Sequence, residues 1–474
     1  MRSLRILPQL LLTLALSASC IESGRCETVP AVAEILGLKG QALIEAVEKR
    51  VPQYRDTDLS ATDLLALLEK LAAQRTGWKP QPEIKDDPWY LYADLIGKAL
   101  KKARGEELDR VAKASTLLPT NFTFRPGVFI SVVSALAARE IETIRAENRA
   151  PLQLPITTTP PPDSLKLASA ELREAWSYFH SVHRPHPIAK EPEEQRQIAF
   201  QKNKEKFCAV LNRVVLGETK GVLDDLALFR WDSWCGTGYE YMSVPLNRAR
   251  WLVLVRERQL PEAVSAALEL QAGQMSMGQW DDTLFAVCGD LFQACGLNAE
   301  KLSVGQLVSA FADQKPTNRG VSSAVFSGDI GVRFRELAAY GSDYGVHSIL
   351  QLIALAPNDP QWDSIMALGI LLKPKGYDHG HGIFRSNSSP FERRSSDPVS
   401  QDVQDEAVRI LLHWLDEPGQ GFVIHAVVQA LPVTKKPAVR ESLRRALNHE
   451  ELDVRKAAAA AALRELGEEV APPP

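Results

Sequence analysis

Between Ala61 and Leu466, one stretch after another returns an apolar residue every three or four positions. That spacing places the apolar residues on one stripe of an α-helix, and the stripe must be buried against another element. Leu64, Leu65, Leu67, Leu68 and Leu71 form such a stripe behind Ser60-Ala-Thr-Asp63, a capping-box signature for a helix start. Asp87-Pro88 is a second start signal, with a capping acid and a proline in the first turn. The period continues over 128–148, 163–182, 192–216, 246–258, 261–272, 281–296, 304–311 and 345–356. Alternation typical of strands is confined to 121–124 and 322–326. The expected fold is all-α, built of stacked helical hairpins in the manner of an α-solenoid.

Proline and glycine divide this run. Residues 151–163 hold Pro151, Pro155 and Pro160-Pro161-Pro162 and read as a stiff linker. Residues 373–401 are rich in Gly, Ser, Pro and charge and read as a flexible loop. The expected organisation is an N-terminal helical region over 20–150, a central helical domain over 164–372, a helical section over 402–467 and a short tail over 468–474.

The first residues form an address. Arg2 and Arg5 precede an apolar run through Leu10, Leu11, Leu12, Leu14 and Leu16, followed by the small residues Ser17, Ala18 and Ser19. This is the layout of a secretory signal peptide over 1–19, too short in its apolar part to span a bilayer. Ser19 before Cys20 also resembles a bacterial lipoprotein signal, in which Cys20 would carry the lipid; Ser17 stands where that pattern prefers leucine. Export to the periplasm, envelope or exterior is expected, with a membrane contact only through such an anchor. Cleavage removes two of 55 basic residues and none of 59 acids, so the net charge moves from −4 to −6. An acidic chain of this kind is not expected to bind nucleic acid.

Export makes disulfides available. Besides Cys20 and Cys26, the cysteines are Cys208, Cys235, Cys288 and Cys295. Cys288 and Cys295 share a helix, where seven residues of rise separate them by about 10.5 Å, beyond disulfide reach. Any bridge therefore uses Cys208 or Cys235, with each other or with one of that pair; the alternative is buried thiols.

Three places could carry chemistry. His180-x-x-His183-x-x-His186 puts two imidazoles on one helix face, and Asp378-His379-Gly-His381 adds ligands in a glycine-rich stretch. Zinc would suit such donors, although the spacing matches no metalloenzyme motif and no cofactor is expected outright. Phe229, Trp231, Trp234, Tyr239 and Tyr241 surround Asp232 and Glu240. Aromatic rings with two carboxylates are what a glycan-cleaving cleft uses, with Asp232 and Glu240 as acid and base; the plain alternative is a turn whose aromatics plug the core. No nucleophile elbow, P-loop, dinucleotide fingerprint or kinase signature is present. The sequence leaves open whether the chain is an enzyme.

The C-terminal section carries a resemblance. Asp453-Val454-Arg455 is followed by Ala457 through Ala462, then Leu463 and Leu466-Gly467. This resembles the second helix of a HEAT repeat, with 437–448 as the first. The helices 406–415 and 422–431 resemble an earlier pair without the Asp and Arg. The resemblance covers about 402–467 and implies stacked repeats in which Arg455 ties neighbours together, with Asp453 beside it. It implies a shape and a protein-binding role rather than an activity.

Overall fold

A computed structural model describes residues 32–51, 59–75, 88–120, 122, 125–153, 160–166, 168–183, 205–227, 240–273, 282–312, 334, 337–338, 341–355, 362–372, 399–416, 427, 430–431, 437–447 and 453–470. Among them every regular element is a helix and no strand occurs. Phe122, inside one expected strand, lies in a turn: its N–H donates to the Pro119 carbonyl at 3.1 Å, and its own carbonyl accepts from Arg125 N–H at 3.2 Å. The other expected strand, 322–326, lies outside the described residues. The chain divides into two compact units at Leu118/Pro119.

The first unit contains α1 (Val32–Leu36), α2 (Gly40–Arg50), α3 (Ala61–Ala73), α4 (Pro88–Leu100) and α5 (Glu106–Ser115). Helices α3, α4 and α5 pack on one another. Their stripes meet through Leu64, Leu65, Leu68, Leu71, Tyr92, Leu95, Ile96 and Val111, all buried. The Tyr92 hydroxyl donates to the Ala114 carbonyl at 3.2 Å, which gives its buried polar tip an acceptor. The capping box predicted at Ser60 is formed. Ser60 Oγ accepts from Asp63 N–H at 3.1 Å, and Asp63 Oδ2 accepts from Ser60 N–H at 3.1 Å. Ser60→Ala leaves the Asp63 amide without that acceptor and is expected to cost about 1 kcal/mol, seen as a lower urea midpoint with an unchanged slope.

The second unit holds α6 (Arg125–Ala146), a 3₁₀ turn (Asp163–Leu165), α7 (Ala170–Val182), α8 (205–215), α9 (Val222–Ala227), α10 (Glu240–Arg256), α11 (Leu260–Gly273), α12 (Asp282–Ala294), α13 (Ala299–Ala312), α14 (Asp343–Leu355), α15 (Trp362–Leu372), α16 (Gln401–Asp416), α17 (Pro437–Leu447) and α18 (Asp453–Glu465). From α10 onward, helices close in the chain pack on one another, α10 on α11, α11 on α12, α13 on α14, α16 on α14 and α15, α17 on α16 and α18, while the most extensive contacts of α10, α12 and α13 are with helices that come earlier. Two earlier helices return across this series. Helix α6 packs on α10 and α12, and α7 packs on α13. Helix α6 lies before the proline stretch, so that stretch does not separate it from the helices that follow.

The expected single helix over 163–182 is two elements. Ser169 interrupts it, with extended backbone and an Oγ that accepts from Leu172 N–H at 3.2 Å, so α7 starts at Ala170. Two residues beyond their last helical residues, α6 and α10 both reach left-handed backbone, at Asn148 (φ 46°) and Arg258 (φ 59°). Arginine is an uncommon occupant of that conformation. Its guanidinium is anchored in place: 3.0 Å from Glu147, 3.6 Å from Glu140, and 2.8 Å from the Val255 carbonyl. The guanidinium of Arg258 holds the Glu147 carboxyl below the usual carboxylate range.

Candidate functional site

Of the three places singled out in the sequence, the histidine cluster is described as far as His183 and the aromatic stretch only at Glu240 and Tyr241. Helix α7 is apolar along Leu172, Ala175, Trp176 and Phe179, and these bury against α13. The same periodicity sets His180 and His183 beside those rings. The His180 ring lies 4.3 Å from Trp176 and meets Phe179 edge-on at 5.2 Å. His183 stacks on Phe179 at 4.8 Å with 19° between the planes. It also ends the helix: its backbone turns extended, and its N–H donates to the Phe179 carbonyl at 2.8 Å.

Across the junction, His180 Nε2 is 2.9 Å from Ser309 Oγ on α13. Ser309 was not visible in the sequence as a partner, because 129 positions separate the two and nothing local joins them. A second polar tie comes from Ser169, which shares a 2.6 Å hydrogen bond with Gln351 Oε1 on α14. His183 Nδ1 is buried and has no hydrogen-bond partner among the described residues. Burial, then the charge of His180, lowers the His183 pKa from 6.5 to about 4.

That depression sets a direction for stability against pH. In the unfolded chain His183 takes a proton near 6.5, whereas the folded protein resists it until about 4. Stability is therefore complete above 6.5, falls as the pH drops through that window and levels off below it, a loss of at most about 3 kcal/mol. His183→Phe keeps an apolar ring on Phe179 and removes the titration. Urea midpoints at pH 7 and pH 4.5 should fall further apart for the wild type than for His183→Phe. Equal acid sensitivity in both would show that His183 stays protonatable in the folded state.

Chemically, the junction offers two imidazoles and a hydroxyl that one of them already engages. Among the described residues, no group of three or more His, Cys, Asp or Glu stands close enough to hold a metal ion. His186, Asp378, His379 and His381 lie outside the described residues, as do Asp232, Cys235, Cys20 and Cys26. Glu240 is the first residue of α10, and Asp453 and Arg455 lie in the first turn of α18.

For three of the cysteines the structure shows the second of the two readings left open by the sequence. Cys208, Cys288 and Cys295 are buried as thiols. Cys288 Sγ points at the Ala267 carbonyl, 3.9 Å away. Burial pushes the Cys295 thiol up to about 11, with the charge of Arg149 opposing it. These sulfurs serve as small apolar residues packed in the helix contacts.

Buried charge is the feature that periodicity did not reveal. Arg248 of α10 is 1% exposed and donates to Ser134 Oγ of α6 at 3.0 Å. Arg125 is also buried and donates to Asn212 Oδ1 at 2.9 Å, and burial lowers its pKa. Both were hidden in the sequence because an arginine in a helix is read by default as solvated.

No known protein family, no curated protein and no solved structure matches this chain. The fold itself defines the class: an all-α protein of helices stacked on one another.

Proposed function

We propose that this chain is an exported or envelope-anchored helical-repeat protein that acts as a scaffold for a protein partner. The observation that carries the reading is the run of contacts between helices close in the chain, α10 on α11, α11 on α12, α13 on α14, and α16 through α18 on one another in turn. Serial stacking makes an extended surface, which repeat proteins use to hold other proteins. The HEAT-like reading of the last pair belongs here too. Helices α17 and α18 pack on each other, and buried Val439, Leu443, Ala446, Ala459 and Leu463 belong to the same core as α16. In that reading Asp453 and Arg455 are structural.

Export rests on the layout of the first 19 residues, and an anchor would rest on Cys20. No described helix is long and apolar enough to cross a membrane. Detergent partitioning of the wild type against Cys20→Ala tests the anchor: lipidation predicts that only the wild type enters the detergent phase.

The partner is tested by photo-crosslinking from Arg409 and Arg444, whose side chains are 66% and 59% exposed on α16 and α17. The expected result is one discrete adduct in the exported fraction that co-purifies with the chain in fixed ratio. Turnover of a glycan or peptide by the purified chain, with no adduct at either position, would overturn the scaffold reading in favour of a hydrolase.

A further inference from the structure

We draw no further inference here: the strongest candidate, the side-chain cluster of His180, His183 and Ser309 where α7 meets α13, supplies two imidazoles with no third metal ligand among the described residues, and beyond that its claim to a role rests on the lowered basicity of His183 alone.

Discussion

Gly305→Ala should destabilise the second unit, although alanine is the better helix former. A β-carbon at Gly305 would lie 2.2 Å from the Ala175 carbonyl oxygen and 2.5 Å from Phe179 Cβ. Neither atom can swing aside, because one is backbone and the other is fixed to it. Helices α7 and α13 must move apart, and close-packed interiors resist that. Overpacking of this kind costs about 1–3 kcal/mol, against a gain of about 1 kcal/mol from replacing a helical glycine. The clash is with backbone at well under contact distance, so the cost should sit at or above the upper end of that range, and Gly305→Val should exceed it. Gly97 in α4 is the control. Nothing lies within 4 Å of a β-carbon there, so Gly97→Ala should be neutral or stabilise by up to about 1 kcal/mol. Urea denaturation of both variants reads the difference. A Gly305→Ala protein as stable as Gly97→Ala would mean that α7 and α13 do not cross at this point.

The contrast between these two glycines shows what the sequence could reveal. Helix spans were legible because their causes are local. Ser60 and Asp63 cap each other three residues apart, and the apolar stripes of α3, α14, α16 and α17 each declare a helix by themselves. The adjacency of His180 and His183 was legible for the same reason. Partners were not legible. Gly305 reads as a weak point inside a helix until α7, which precedes α13 by more than a hundred residues, is laid across it. Ser309 reads as an ordinary polar residue until His180 reaches it. The described ends of the proline stretch, 151–153 and 160–162, carry no regular element, but a break in helix is different from a break in packing. Helix α6 lies before that stretch and packs on α10 and α12 after it. Of the candidate site, the imidazole spacing was local and visible. The buried setting that depresses His183 depends on tertiary contact and was not.

Trp414→Ala is expected to cost about 3–5 kcal/mol, the usual range for deleting a buried aromatic side chain. Trp414 is 2% exposed. It belongs to a hydrophobic cluster that runs from Leu165 to Leu463 through α7, α13, α14, α15, α16, α17 and α18. A loss of that size is a large part of the 5–15 kcal/mol that typically holds a protein folded. Where the loss appears is the sharper question. Helix α16 packs on α14, α15 and α17. Helix α6 packs on α10 and α12, and none of their described residues belongs to this cluster. In a serially stacked array, damage spreads through neighbouring interfaces rather than through one shared core. Hydrogen exchange on Trp414→Ala should therefore show protection falling in α14 through α17, while α6, α10 and α12 keep most of theirs. Equal loss in all of them would indicate a single cooperative core. It would also remove the main physical support for the repeat reading, because an extended binding surface made of semi-independent units requires coupling that weakens along the chain.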